Sequence, residues 1–107
     1  MVSVHIINER GHITVWIPKD DKWPDASRAA TLQGRLDSHG TLRIGSIRTT
    51  SLFQRQGYGT ILLDYIKTKI PSVRKITASV DVGAEEFYIK NGFKQIKSSQ
   101  EFIWPDY

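Results

Sequence analysis

Residues 54–59 read Gln54-Arg55-Gln56-Gly57-Tyr58-Gly59, and an apolar helical pattern follows them. A helix starts with unpaired backbone N–H groups and a partial positive charge. A preceding loop that turns its amides inward completes a phosphate cradle. Glycine lets the backbone approach the anion and adopt conformations closed to other residues. With Arg55 adding charge at the rim, these residues could hold a pyrophosphate. Two standard phosphate loops fit poorly. Gly59 is followed by Thr60-Ile61 where a Walker A loop needs Lys-Ser/Thr, and Leu62 stands where a dinucleotide fingerprint needs a third glycine. A turn whose glycines only relieve strain is the alternative.

A second segment carries chemistry. Residues 81–93 read Asp81-Val82-Gly83-Ala84-Glu85-Glu86-Phe87-Tyr88-Ile89-Lys90-Asn91-Gly92-Phe93. The spacing predicts a short helix over 81–92, with Asp81 as N-cap, Ala84, Phe87 and Tyr88 on one face, and Gly92 ending it. Tyr88 brings a phenol of pKa about 10 to that face. The alternative for Tyr88 is a core aromatic with a satisfied hydroxyl.

Together the two segments resemble the GNAT superfamily of acyl-CoA N-acyltransferases. Its central motif, Gln/Arg-x-x-Gly-x-Gly/Ala between a strand and a helix, is matched by 54–59. Its second signature, Asn-x-x-Ala-x-x-apolar-Tyr-x-Lys-x-Gly-Phe, is matched by 81–93 with Asp81 in place of Asn. The resemblance covers about residues 40–97 and implies a GNAT-like α+β fold. That fold has a central, mostly antiparallel mixed sheet of about six to seven strands, splayed at the cofactor site, with two main helices.

Acetyl-CoA, or another acyl-CoA, would lie between strands 41–49 and 74–80. The backbone at Ile47, Arg48 and Thr49 would pair with pantetheine amides. The segment Gln54, Arg55, Gln56, Gly57, Tyr58, Gly59 and Thr60 would hold the pyrophosphate. Asp81, Ala84, Phe87 and Tyr88 complete the implied cofactor-binding set, with Ala84 and Phe87 flanking the pantetheine arm. Tyr88 matches the position that often serves as general acid. A phenol there could protonate the departing thiolate, whose thiol pKa should be near the 8.5 of cysteine, and help of this kind is worth ~10²–10⁴ in rate.

The implied activity is transfer of an acetyl group to a primary amine, a lysine or N-terminus on a protein acceptor. Two departures from the family pattern bear on this. Strand 41–49 lacks the acidic residue that many members place before the pyrophosphate loop, and Asp37, His39, Glu85 and Glu101 are candidate bases by polarity alone. Only Pro18 to Ser27 stand where two helices usually follow the first strand. The acceptor side should then be open, with Trp23 on its rim, which suits a protein amine better than a small one. A second copy in a homodimer is the other source of a wall.

The elements that must position these residues follow from periodicity. Val2 to Ile7 and His12 to Ile17 read as strands around an "NERG" turn, and 28–36 and 41–49 as a second pair around "DSHG". In 41–49, Leu42, Ile44, Ser46 and Arg48 alternate with Arg43, Gly45, Ile47 and Thr49. Ile61, Leu62, Tyr65, Ile66 and Ile70 mark one face of a helix over 58–70, stopped by Pro71. Strand 74–80, helix 81–92, and a strand pair from "FKQIKS" and "EFIW" complete the order. Strands first and helices later indicate an α+β arrangement.

The chain has 107 residues, which fits one domain over 1–107, and 39% are apolar, enough for one core. It has no cysteine, which removes disulfides, thiolate metal sites and a cysteine nucleophile. No metal is expected. No stretch approaches the ~20 apolar residues of a membrane span, so a soluble, cytoplasmic protein without membrane contact is expected. The net charge of +4 favours anionic partners, but the charges are scattered and not in blocks. Two other functions fit the same features: a non-catalytic acetyl-CoA sensor or complex subunit, and a small basic nucleic-acid binder. The latter lacks an aromatic-rich basic stripe.

Overall fold

The computed structural model describes residues 3–24, 26–50, 57–97 and 99–105. Nine elements follow one another: β1 (His5–Glu9), β2 (His12–Pro18), β3 (Arg28–Leu36), β4 (Thr41–Thr49), α1 (Tyr58–Lys69), β5 (Lys75–Ser79), α2 (Glu85–Lys90), β6 (Lys94–Gln95) and β7 (Glu101–Trp104). The strands form one seven-stranded sheet in the order β1-β2-β3-β4-β5-β7-β6. Every pairing is antiparallel except β4 with β5, which α1 connects as a crossover. The fold is therefore the α+β, GNAT-like arrangement that the sequence implied.

Local sequence explains the elements. The "NERG" turn closes with Arg10 and Gly11 both at positive φ, which matches the twist of a tight hairpin. In the "DSHG" turn the Asp37 carboxylate accepts the backbone N–H groups of His39 and Thr41. Helix α1 ends before Pro71, and Lys67 and Lys69 in its last turn suit the negative end of the helix. The strand expected over Val2 to Ile7 runs instead from His5 to Glu9, and Val2 lies outside the described residues.

The core lies on one face of the sheet. Ile13, Val15, Leu32 and Leu42 from β2, β3 and β4 meet Leu62, Leu63 and Ile66 of α1, all fully buried. Ile76, Phe93 and Phe102 extend this cluster toward Tyr88 of α2. Leu63 was absent from the expected apolar face of α1, whereas Ile61 and Tyr65 are only partly buried. Helix α2 packs beside α1. Asn91 Nδ2 donates to Thr60 Oγ1 at 3.3 Å and to the Phe87 carbonyl at 2.8 Å, and Lys67 Nζ donates to the Asn91 carbonyl.

Two sequence expectations are corrected. Helix α2 is shorter than 81–92: it spans Glu85–Lys90 with Ala84 at the N-cap, not Asp81. Gly83 at φ 100 turns the chain before the helix, and Glu85 Oε1 accepts the Gly83 N–H. The strict alternation along β4 also fails. Gln33 pairs with Ser46 and Gly34 with Ile44, so Gly45 is an extra residue, a β-bulge. The phase shifts there: Leu42 and Ile44 face the core before it, and Ile47 packs against the core after it.

Candidate active site

The site begins where two parallel strands part. The β4–β5 ladder runs from Thr41↔Lys75 to Ile44↔Ala78 and stops. Past the bulge, β4 follows β3 alone, through Ser46↔Gln33 to Thr49↔Ala30. Strand β5 follows β7, with Ser79 opposite Glu101 and the Val80 N–H on the Gln100 carbonyl at 2.7 Å. The edge of β4 over Gly45 to Arg48 thus has no strand on its β5 side among the described residues.

The parting leaves a cleft of about 400 Å³. One wall is Ile44 to Arg48, the other Ser79 to Asp81, and Ala84, Phe87 and Tyr88 close the back. Of the residues singled out in the sequence, Ile47, Arg48, Asp81, Ala84, Phe87 and Tyr88 come together in this lining. Thr49 lies one residue further along the same strand. Ile44, Gly45, Ser46, Ser79 and Val80 also line the cleft, and no sequence signal marked them, because the bulge and the end of the ladder are properties of pairing.

Gly57, Tyr58, Gly59 and Thr60 form the entry to α1. Gly57 takes φ 76 at the N-cap, a left-handed conformation that favours glycine, and no side chain caps the helix. No acidic residue stands in its first turn, so the positive end of the helix keeps its field. Gly59 serves close approach: a Cβ there would lie 2.9 Å from Phe87 Cζ and 3.7 Å from Ile47 Cδ1. Its missing side chain brings the start of α1 against both the β4 wall and α2. The Thr60 hydroxyl accepts from Asn91 Nδ2 at 3.3 Å, and its own O–H remains a donor beside the backbone amide. Gln54, Arg55 and Gln56 lie outside the described residues.

Tyr88 is 5% exposed, and its ring packs edge-on against Phe87 and Phe93. Among the described residues, no hydrogen-bond partner stands at its hydroxyl, and no buried side-chain polar atom is without one. Tyr88 is one of the residues that line the cleft. Burial, with the nearby Asp81 carboxylate, pushes its pKa above the usual phenol value. Tyr88 holds its proton throughout the neutral range.

The four acidic or imidazole candidates for a base divide clearly. Asp37 and His39 sit in the β3–β4 turn, and Asp37 is four positions along the chain from Gln33, the partner of Ser46, roughly 13 Å away. Glu85 lies at the start of α2, its Oε1 accepting from Gly83 and its Oε2 from Gln100. Glu101 is nearest by connection. Its Oε1 accepts Ser79 Oγ at 2.6 Å and Arg43 at 3.0 Å, and Ser79 lines the cleft. The Ser79 hydrogen bond, then Arg43, hold the Glu101 carboxyl below its ordinary pKa, so it binds a proton weakly. Trp23 is 68% exposed on the 19–27 connection and does not line the cleft.

The model of the GNAT acetyltransferase domain matches residues 26–105, and the chain belongs to that family. No curated protein sequence matches it. Among solved structures, the fold is similar to the ribosomal-protein-S18-alanine N-acetyltransferase of Escherichia coli, with TM-score 0.74, 12% identity, and 96% of this chain covering 90% of that one. It is also similar to Tetrahymena GCN5, with TM-score 0.72, 17% identity, and coverage of 89% and 68%. A Bacillus anthracis protein described as a streptothricin acetyltransferase, solved in complex with acetyl coenzyme A, gives TM-score 0.68, 18% identity, and coverage of 91% and 61%.

Proposed function

We propose that the chain is an N-acetyltransferase that moves the acetyl group of acetyl-CoA to a primary amine on a protein. The observation that carries this reading is the parting of β4 and β5 beside Tyr88, which lines the gap. The residues present suit acetyl-CoA. The β4 edge over Gly45 to Arg48 offers backbone donors and acceptors to an extended amide chain. The start of α1, uncapped and free of acidic residues, suits a pyrophosphate. Bound there, acetyl-CoA supplies a thioester.

The chain's own part is positional and protonic. The amine nitrogen forms its bond to the thioester carbon as the carbon–sulfur bond breaks. Tyr88 gives its proton to the departing sulfur and recovers one from the acylated nitrogen through water. Tyr88 is suited to this because it stays protonated at neutral pH. The Glu101 carboxylate is too weak a base to strip an ammonium directly, so the amine loses its proton to solvent at the open mouth of the cleft.

A protein acceptor is favoured by the open side. The connection between β2 and β3 contains turns and no helix among the described residues, and both described helices lie on the other face of the sheet. The test is incubation of the purified chain with acetyl-CoA and either a protein mixture or small amines, read by mass spectrometry. Acetylated lysines or N-termini are expected, and rapid turnover of polyamines or aminoglycosides with unmodified proteins would overturn the choice of acceptor.

A further inference from the structure

The sheet face opposite the helices carries an arginine pattern that the transfer reaction does not use. Among the described residues, no helix packs on this face, and the 19–27 connection reaches its Trp16 end, where Trp16 Nε1 donates to the Pro24 carbonyl. Across it, Arg35 stands opposite Arg43, Gln33 opposite Ser46, and Thr31 opposite Arg48. Arg28 lies over the Trp16 ring, 4.4 Å from its centroid, on the same face. All four arginines are exposed.

Two shallow grooves, of about 410 and 460 Å³, run between these rows and meet at Gln33. The first shares Ile44 and Gly45 with the cleft, and the second shares Ser46 and Arg48 with it. Grooves and cleft are thus one continuous surface. Gly45, the bulged residue, supplies no side chain, so the surface is lowest where it enters the cleft.

Charge decides what this surface accepts. Arg43 is paired with Glu101 at 3.0 Å, but among the described residues no carboxylate lies within ion-pair distance of Arg28, Arg35 or Arg48. Planar guanidinium groups hold carboxylates in two-point contacts that lysine cannot match. No Phe, Tyr or Trp lines either groove, so stacked bases would find no platform. Arg35 and Arg48 lie four positions apart in register, roughly 13 Å along the strands, with Gly45 and Ser46 between them. An extended polypeptide has the same repeat, and alternate residues share one side of it.

We propose that this face docks an acidic polypeptide segment whose acceptor lysine is flanked on both sides by Asp or Glu. The lysine enters the cleft over Gly45, the carboxylate on one side meets Arg35, and that on the other meets Arg48 and Arg28. The proposal rests on the transferase reading for the lysine, whereas the acidic docking stands on the arginines alone.

The test uses the full chain and fluorescence anisotropy without acetyl-CoA. The probes are labelled Gly/Ser peptides with one central Lys and a Glu two residues to each side, the same peptide with Lys in place of Glu, and an oligo(dT) strand. The acidic peptide should bind, weaken with added salt, and lose roughly tenfold or more in affinity with Arg35→Glu together with Arg28→Glu. Arg35→Gln alone should give a smaller loss, and acetyl-CoA binding reports that each variant is folded. Equal binding of acidic and basic peptides, tighter binding of oligo(dT), or affinity unchanged in folded variants would overturn the proposal. Acidic-peptide binding without any acetyl transfer on adding acetyl-CoA would count for the surface and against the transferase.

Discussion

Gly59 of α1 and Phe87 of α2 approach so closely that a Cβ on the glycine would lie 2.9 Å from the ring's Cζ. This contact locks the start of one helix to the other, and with it the positive helix end to the back of the cleft. Gly59→Ala must displace the partly buried ring or the helix. Overpacking of this kind costs about 1–3 kcal/mol. Urea unfolding should show a lower midpoint, and calorimetry weaker acetyl-CoA binding. An unchanged midpoint and affinity would mean that the contact constrains nothing.

Tyr88→Phe separates chemistry from binding. The ring contacts with Phe87, Phe93 and Phe102 survive the change, so acetyl-CoA affinity should hold while turnover falls by ~10²–10⁴. The same variant has a pH signature. The folded pKa of Tyr88 is raised, so its contribution to stability is complete below about pH 10 and is lost as pH rises through the folded value. Unfolding midpoints followed into alkali should fall more steeply for the wild type than for Tyr88→Phe. Parallel curves would place the hydroxyl in ordinary solvent.

Glu101 gives the opposite limb. Its folded pKa is depressed by Ser79 and Arg43, so the stability it adds is present above the ordinary glutamate value and lost as pH falls through the folded one. Glu101→Gln should flatten the decline of the unfolding midpoint below the ordinary glutamate value of about 4.3. The effect is small because the carboxylate is partly exposed. A decline as steep as in the wild type would remove Glu101 as its source.

Much of this organisation was legible in the sequence, and the failures have physical causes. Helix α1 was readable from apolar spacing and Pro71, and β4 from its alternation, which holds as far as the bulge. Motif spacing brought out the α+β fold with two helices. The bulge at Gly45 was not legible, since it depends on which residues of β3 lie opposite. Asp81 is a good N-cap type, but the chain turns at Gly83 and the helix starts after Ala84. Ser79 and Asn91 owe their places to tertiary neighbours, Glu101 for one, Thr60 and Lys67 for the other.

Leu63 completes the core face that periodicity left short. It is fully buried against the sheet. Leu63→Ala should cost about 2–5 kcal/mol of stability, measured by urea unfolding. A loss below ~1 kcal/mol would show that α1 packs more loosely than its buried face implies.

The central claim is that the parted strands and the start of α1 form an acetyl-CoA site. Calorimetric titration of the purified chain with acetyl-CoA, with dephospho-CoA as control, tests it most directly. Saturable binding in the micromolar range is the predicted result. Absence of binding at millimolar acetyl-CoA would contradict the account.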